Sequence, residues 1–239
     1  MPCILLTGAA GFIGYHTALR LCRAGWTVIG IDNLNAYYDP GLKQARLDQL
    51  AGFENFTFNK ANLADNATIA QIFEATNPDY VIHLAAQAGV RYSLENPHAY
   101  TESNITSTLN ILEGCRHHSI QHLIFASSSS VYGANTKMPF SEHDTTAHPV
   151  SLYGATKKAN EVMAHAYADL YQIPCTGLRF FTVYGPWGRP DMAYFKFTDA
   201  IYNDRTIDIY NHGNMKRDFT YIDDVTATIE SLLAHIPQP

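Results

Sequence analysis

A tyrosine and a lysine four residues apart, Tyr153 and Lys157, follow a run of four serines, Ser127 to Ser130. Four-residue spacing places both side chains on one face of a helix. A free tyrosine hydroxyl has a pKa of about 10, and a neighbouring ammonium favours the phenolate. A serine hydroxyl nearby could orient the same substrate oxygen. Together these residues predict an alcohol–ketone redox site, provided that a hydride acceptor lies within reach.

The elements that must position these side chains follow from the hydrophobic pattern. The buried strand His122–Ala126 ends in the serine loop, and Tyr153 and Lys157 open a helix over 152–171. Short apolar runs alternate with helical patterns, which predicts an α/β fold: a Rossmann-type, doubly wound parallel sheet. The other predicted strands are 3–7, 26–31, 55–59, 80–84 and 175–180. The other predicted helices are 40–51, 66–75, 97–117 and an amphipathic segment that follows the glycine turn over 8–14 and ends at about Arg23.

The pattern changes beyond Phe181. A Gly/Pro-rich loop over 184–190 precedes a predicted helix over 192–203, short strands near 206–210 and 217–222, and a last helix reaching His235. We therefore predict a dinucleotide-binding domain over 1–181 and a partial substrate lobe over 182–239, interleaved with the last Rossmann elements. Asp223 and Asp224 resemble a metal-binding pair, but capping of the last helix is the favoured interpretation, and no metal site is predicted.

Composition excludes several functional classes. The 239 residues are 46% hydrophobic and carry a net charge of −6 without a basic run, which predicts no nucleic-acid partner. The four cysteines are scattered and lack CxxC spacing, as expected of buried thiols in a reducing compartment. No secretory leader and no apolar run of about 20 residues is visible, so we predict a cytoplasmic protein without a membrane partner.

A glycine turn supplies the candidate cofactor site. Gly8, Gly11 and Gly14 follow a strand and open a helix, where backbone N–H groups and the helix dipole favour a pyrophosphate. Glycine turns also occur for structural reasons alone, but Asp32 ends the second strand, where a carboxylate binds a ribose 2′-hydroxyl. With no arginine beside it, NAD is preferred to NADP. Asp65 could contact the adenine or simply cap the next helix.

Several motifs carry a family resemblance. The glycine turn, His83–Ala86, Ser128 and the Tyr153–Lys157 pair resemble those of the extended short-chain dehydrogenase/reductases, over essentially the whole chain. Four further stretches look like those of UDP-glucuronate 4-epimerases: 35–40 followed by Leu42 and Lys43, 87–93, 179–193 and 217–225.

The resemblance implies a set of site residues. The implied catalytic residues are Ser128, Tyr153 and Lys157. The implied NAD contacts are Gly8, Gly11, Phe12, Ile13, Gly14, Asp32, Asn33, Asp65, Leu84, Ala85 and Ala86, with Tyr153 and Lys157. The implied UDP-sugar contacts are Arg91, Ser129, Ser130, Thr182, Arg189 and Arg217. Arg189 and Arg217 could also be solvated surface residues, and Tyr37 and Tyr38 could line the sugar pocket or pack on the sheet edge.

The resemblance also implies a chemistry. Tyr153 would take the proton of the sugar C4 hydroxyl, Lys157 would lower its pKa, and a 4-keto sugar would be reduced again on its other face. Arg189 would grip the substrate carboxylate bidentately, with Thr182 as a second donor. Related decarboxylases and 4,6-dehydratases carry an acid where this chain has Ser129 and Ser130, which argues against those activities.

Two expectations concern the assembly. In similar proteins, helices corresponding to 97–117 and 152–171 pair across a dimer interface, so we expect a homodimer. Similar epimerases are longer by roughly a third, in a substrate lobe. This leaves a truncated NAD-binding protein as an alternative, and we expect the 239-residue chain to bind NAD but to turn over substrate poorly.

Overall fold

The computed structural model of the chain describes residues 2–239 and contains a six-stranded, wholly parallel sheet in the order β3-β2-β1-β4-β5-β6. Its strands are β1 (Cys3–Thr7), β2 (Thr27–Asp32), β3 (Phe56–Lys60), β4 (Tyr80–His83), β5 (His122–Ala126) and β6 (Cys175–Leu178). Ile4, Leu5 and Leu6 are fully buried, because helices cover both faces of the sheet. The predicted doubly wound α/β fold is confirmed.

Nine α-helices occur in the described residues. They are α1 (Phe12–Arg23), α2 (Pro40–Leu50), α3 (Asn66–Thr76), α4 (Tyr92–Glu95), α5 (Pro97–Tyr100), α6 (Ser107–His117), α7 (Leu152–Tyr171), α8 (Ala193–Tyr202) and α9 (Ile222–Leu232). Helices α1, α2 and α9 pack on one face of the sheet, and α3, α6 and α7 pack on the other. None of the described helices combines the length and hydrophobicity that crossing a membrane requires.

The helix that positions Tyr153 and Lys157 has the predicted bounds. Ser151 caps α7 with its hydroxyl, which accepts a hydrogen bond from Gly154 N at 3.0 Å. This cap satisfies one of the N–H groups that a helix leaves unpaired at its start. The first turn of α7 is therefore fixed beside the serine loop.

The helix predicted over 97–117 is interrupted. A π-helical segment, Thr101–Thr106, separates α5 from α6. The main-chain oxygen of Asn104 accepts from Asn160 Nδ2 at 2.7 Å, and the Asn104 side chain bonds the main chain of Gln87 and the hydroxyl of Thr156. This buried network joins α7 to the loop after β4 and compensates the irregular helical turn.

The C-terminal part departs from the prediction in two places. Strands β7 (Thr182–Tyr184) and β8 (Phe219–Tyr221) form a separate parallel pair. The strand predicted near 206–210 is wrong: this stretch is mostly exposed, pairs with no described strand, and runs into a tight turn at Tyr210–Gly213. Asp223 does not cap α9, whose N-cap is Tyr221, but Asp223 and Asp224 lie in its first turn. Helix α9 belongs to the predicted substrate lobe and packs on α1 of the predicted dinucleotide-binding domain. The boundary between the two domains at 181/182 stays a prediction.

Candidate active site

One cleft opens at the carboxyl ends of β1, β2, β4 and β5, where the chain reverses the order of strands between β1 and β4. Such a switch point is the usual ligand position in a doubly wound sheet. The cleft brings together most of the predicted residues: Gly8, Gly11, Phe12, Ile13, Gly14, Asp32, Asn33, Leu84, Ala85, Ala86, Ser128, Tyr153, Lys157 and Arg189. Residues separated by up to 181 positions therefore share one surface.

The glycine turn has the shape that a phosphate cradle requires. A Cβ on Gly14 would lie 2.0 Å from the main-chain oxygen of Gly8, and one on Gly8 would lie 2.8 Å from Ala85 N. Gly8 also has a φ of +74°, which favours glycine. Gly11 is the N-cap of α1 and provides no side-chain acceptor, so the N–H groups at the start of α1 are left for a ligand. These features fit a dinucleotide pyrophosphate.

Asp32 ends β2 at the same cleft, nearly buried. Its Oδ1 accepts from Leu34 N at 2.8 Å, and Lys43 Nζ lies 3.7 Å from the same oxygen. The loop between β2 and α2 turns back so that Lys43 faces the cleft, as do Tyr37 and Tyr38. Sequence reasoning noted Lys43 only as part of the family-like segment after the second strand and gave it no place in the site, because its distance from Asp32 along the chain matches no regular spacing.

Asp65 lies apart from the cleft. Its carboxylate caps α3, accepting from Thr68 N at 3.2 Å and from Thr68 Oγ1 at 2.6 Å. This is the capping alternative considered for this residue, and the adjoining Asn62 and Leu63 line the cleft instead.

Lys157 lines the cleft but is almost completely buried, with 3% of its surface exposed. Its Nζ donates to the main-chain oxygen of Ala126 at 2.8 Å, and burial lowers the pKa of Lys157 to about 8. Burial raises the pKa of Tyr153, while the Ser128 hydroxyl and the charge of Arg189 oppose that increase. The groups that favour the Tyr153 phenolate here are thus Ser128 and Arg189, and a direct effect of Lys157 stays a prediction.

The serine loop is held by hydrogen bonds on both sides. Ser128 Oγ accepts from Ser130 N at 3.2 Å and so caps the short 3₁₀ turn that follows, while Ser127 Oγ donates to Glu161 Oε1 at 2.6 Å. Glu161 in turn forms a bidentate pair with Arg179. Ser127 and Ser128 line the cleft, whereas Ser129 and Ser130 belong to the half-buried turn behind it.

Arg189 lines the cleft, and its guanidinium forms an ion pair with Asp191. Its Nε donates to Asp191 Oδ1 at 3.0 Å and its Nη2 to Asp191 Oδ2 at 2.5 Å, and the hydroxyl of Tyr37 donates to the latter oxygen at 3.1 Å. Burial raises the pKa of Asp191, but the charge and hydrogen bonds of Arg189 outweigh this effect, and the pKa lies below its usual value. The Asp191 carboxylate is therefore ionised, as an ion pair requires.

The remaining predicted substrate residues lie outside the cleft lining. Thr182 is half-buried in β7, and its N–H donates to the main-chain oxygen of Asp218. Arg91 is exposed, with its guanidinium carbon 3.7 Å from the centre of the Tyr210 ring. Arg217 is also exposed, and within residues 2–239 its side chain donates only to the main-chain oxygen of Lys216. Their substrate roles stay predictions.

A buried histidine lies under the cleft, and the sequence analysis named it only as part of the family-like stretch His83–Ala86, without a role of its own. His83 ends β4, and its ring nitrogens are within 2.7 Å of Thr7 Oγ1 and 3.1 Å of Thr108 Oγ1. Burial and the charge of Lys157 lower the pKa of His83 to about 3. The ring is therefore neutral at physiological pH and supports β1 and α6 without adding charge beside Lys157.

Comparisons with known proteins agree with this site. The family model described as NAD dependent epimerase/dehydratase family matches residues 4–239. Protein CapI of Staphylococcus aureus is 59% identical over 236 residues, covering 99% of this chain and 70% of CapI. The probable UDP-glucuronate 4-epimerase of Rhizobium meliloti (strain 1021) is 54% identical over 233 residues, covering 98% of this chain and 68% of that protein.

A solved structure extends the match to the fold. The UDP-glucuronic acid 4-epimerase of Bacillus cereus, in complex with UDP-glucuronic acid and NAD, superposes with a TM-score of 0.90 at 36% identity, covering 96% of this chain and 73% of that one. The expected resemblance, the NAD cofactor and the NAD-dependent epimerase class are confirmed. The chain belongs to the NAD dependent epimerase/dehydratase family.

Proposed function

We propose that the protein epimerises a UDP-hexuronic acid at C4, converting UDP-glucuronate to UDP-galacturonate through a 4-keto intermediate. One observation carries the proposal: Ser128, Tyr153, Lys157 and Arg189 share a cleft with the glycine turn, and Asp32 is the only acidic residue among its described lining residues. The relatives named UDP-glucuronate 4-epimerases support the choice of substrate. We further propose that residues 182–239 contribute to binding the nucleotide sugar.

Three side chains have separate roles in the transfer of the C4 hydroxyl proton. Bound NAD supplies the hydride acceptor and donor that C4 requires. Tyr153 accepts the C4 hydroxyl proton and returns it after the sugar has turned its other face to the cofactor. Ser128 donates to the reacting oxygen and holds it near Tyr153. Lys157, fixed on the Ala126 carbonyl, supplies positive charge on the side of the cofactor ribose.

The carboxylate of the substrate creates a hazard at the keto stage, because a carboxylate β to a ketone leaves readily as carbon dioxide. Arg189 can bind the substrate carboxylate, because Asp191 occupies the Nε–Nη2 edge of the guanidinium and leaves the Nη1–Nη2 edge available. A bidentate contact on that edge keeps the breaking bond out of line with the carbonyl π system.

Among the described residues, no acid other than Asp32 lines the cleft, which disfavours the other reactions of the family. Asp32 ends β2, three strand spacings from the end of β5, which is roughly 14 Å. Ser129 and Ser130 stand where the dehydratase and decarboxylase relatives carry a carboxylate. Without an acid beside the reacting carbons, elimination lacks a proton donor, whereas oxidation and re-reduction at C4 need only Tyr153.

The test is to incubate the protein with NAD and UDP-glucuronate and to separate the sugar nucleotides by anion-exchange chromatography. We expect UDP-galacturonate with no net formation of NADH. A UDP-pentose as the main product indicates a decarboxylase, and a 4-keto-6-deoxy sugar from a neutral UDP-hexose indicates a dehydratase. NAD binding without conversion over a prolonged incubation supports the non-catalytic alternative.

A further inference from the structure

The loop that carries Arg189 depends on side chains from elsewhere in the chain. It joins β7 to α8 over residues 185–192, and among the described residues its only internal main-chain hydrogen bond runs from Met192 N to the oxygen of Arg189 at 3.4 Å. Trp187 has a φ of +59°, in the left-handed region that a bulky side chain rarely adopts. A strained loop with so few bonds of its own keeps its shape only when its surroundings impose it.

Arg46 of α2 supplies much of that constraint, and its side chain is completely buried. Its Nε and Nη2 both donate to the main-chain oxygen of Trp187, at 3.2 and 2.6 Å, and Nη2 also donates to that of Gly188 at 3.2 Å. These two carbonyls immediately precede Arg189 in the chain. The position of Arg189 therefore depends on where the guanidinium of Arg46 lies.

The other side of the same guanidinium contacts the glycine turn. Arg46 Nη1 donates to the main-chain oxygen of Ala10, inside that turn, at 2.9 Å, and to the hydroxyl oxygen of Tyr38 at 2.7 Å. All five N–H donors of Arg46 are thus used, each on an uncharged oxygen. Because a buried charge is costly unless it is fully hydrogen-bonded, these contacts hold the planar group in one orientation.

We propose that Arg46 is a positioning residue for the substrate carboxylate. By bonding Ala10 and Trp187 with one rigid group, it sets the distance between the glycine turn and the loop, and hence between bound NAD and the free edge of Arg189. A sugar whose C5 carboxylate is bound by Arg189 then presents C4 to the cofactor at a fixed distance. This role rests on the proposed uronic acid substrate, because a neutral sugar offers Arg189 no carboxylate.

The test compares the dissociation constants for UDP-glucuronate and UDP-glucose by isothermal titration calorimetry at saturating NAD. We expect the wild type to prefer UDP-glucuronate by at least about tenfold. Arg46→Met should weaken UDP-glucuronate about tenfold, the effect of one charge-assisted hydrogen bond, and UDP-glucose by less than about threefold. Arg189→Met should lose the same preference. R46M/R189M should bind UDP-glucuronate no more weakly than R189M, because Arg46 acts through Arg189.

A second variant tests the loop without disturbing a buried charge. His16 of α1 is half-buried, and its Nε2 donates to the preceding carbonyl of the loop, that of Pro186, at 2.9 Å. His16→Phe keeps an aromatic ring in place and removes this bond, so it should lower the preference for UDP-glucuronate about threefold. Arg23→Met is the matched control: it removes an exposed arginine of α1 and should leave both dissociation constants unchanged.

The proposal is overturned if R46M melts cooperatively and keeps the wild-type preference, or if R46M/R189M binds both ligands markedly more weakly than R189M, as a loss of packing alone would produce. If R46M does not fold, a wild-type preference in H16F overturns it. Equal affinity of the wild type for the two ligands would contradict the proposed uronic acid substrate and, with it, the role of Arg46.

Discussion

Arg189 binds Asp191 through its Nε–Nη2 edge, and Tyr37 donates to the same carboxylate from the loop after β2. A guanidinium that is free on all sides can adopt many orientations, whereas this pair fixes the plane of the group. Sequence reasoning proposed a substrate carboxylate as the partner of Arg189. That carboxylate and Asp191 do not compete for the same edge of the guanidinium. Asp191 orients the arginine, and the substrate would take the second edge.

We expect Asp191→Ala to raise KM for UDP-glucuronate by about tenfold while kcat falls less, because Asp191 positions a residue that binds the substrate. The looser arginine should also restrain the carboxylate less well, so a UDP-pentose by-product should increase. Product chromatography and initial rates measure both effects. Tyr37→Phe is the matched control: it removes only the hydrogen bond behind Asp191 and should have a smaller effect. An unchanged product ratio in D191A would argue against this positioning role.

A phenylalanine at position 153 keeps the ring and removes the hydroxyl. We expect Tyr153→Phe to lower kcat by about 10³-fold, the typical contribution of a general acid–base group. NAD affinity should change by less than about threefold, because the ring that lines the cleft remains. Rates come from product chromatography and affinity from calorimetry. Wild-type turnover by Y153F would exclude Tyr153 as the proton carrier.

The lowered pKa of Lys157 predicts a descending limb in the pH profile. An ammonium with a pKa of about 8 is charged below that pH and neutral above it, so positive charge beside the cofactor ribose is lost as pH rises through about 8. We therefore expect kcat/KM to fall above about pH 8. Lys157→Arg keeps its charge and should move that limb to higher pH, whatever its effect on the maximal rate. Initial rates between pH 6 and 10 test this, and an identical limb in both proteins would contradict it.

Sequence reasoning succeeded where the chemistry is local. The glycine turn, the end of β2 and the first turn of α7 are each set by a few neighbouring residues, so Gly8, Asp32 and Lys157 could be placed on the correct elements. The bounds of α7 were predicted correctly because Ser151 caps it and the apolar spacing is regular.

Sequence reasoning failed where a residue is positioned by contacts with a distant part of the chain. The π-helical segment before α6 depends on hydrogen bonds that Asn104 makes with α7 and with the loop after β4. Lys43 reaches the cleft only because the loop after β2 folds back. The pairing of Asp191 with Arg189 could not be predicted, because whether residues two apart in a loop form an ion pair depends on the conformation of that loop.

The serine loop depends on a mostly buried carboxylate, Glu161, which binds Ser127 and forms two hydrogen bonds with Arg179. Burial raises the pKa of Glu161, but the hydrogen bonds from Arg179 and Ser127 and the charge of Arg179 outweigh it, so the pKa is lowered. A carboxyl whose pKa is lowered on folding stabilises the fold above its unfolded pKa of about 4.3, and this contribution is lost as pH falls.

We expect Glu161→Gln to reduce the free energy of unfolding by about 2 kcal/mol at pH 7, because it leaves Arg179 without its counter-charge. The difference from wild type should shrink towards pH 4. Urea unfolding at both pH values measures it. Glu142→Gln is the control, since Arg179 donates to the main-chain oxygen of Glu142, which the substitution keeps, and the Glu142 side chain is exposed. A difference that grows as pH falls would contradict the assigned sign.

The faces of α6 and α7 that point away from the sheet carry unpartnered apolar side chains. Val162 is 54% exposed, Leu170 is 67% exposed, and both lie on one face of α7 because eight residues separate them. Leu109 on α6 is 40% exposed. Exposed aliphatic side chains on adjacent helices favour a helix-to-helix interface between two copies.

We expect the protein to sediment as a dimer at micromolar concentration and the variant V162E/L170E to sediment as a monomer, because two charges on each α7 would be buried against their symmetry mates without partners. Sedimentation velocity measures both. Leu94→Glu is the control, as it changes an 80% exposed leucine on α4, outside the proposed interface. A wild-type monomer, or a dimer that survives in V162E/L170E, would rule out this interface. Loss of the dimer in L94E as well would move the contact away from α6 and α7.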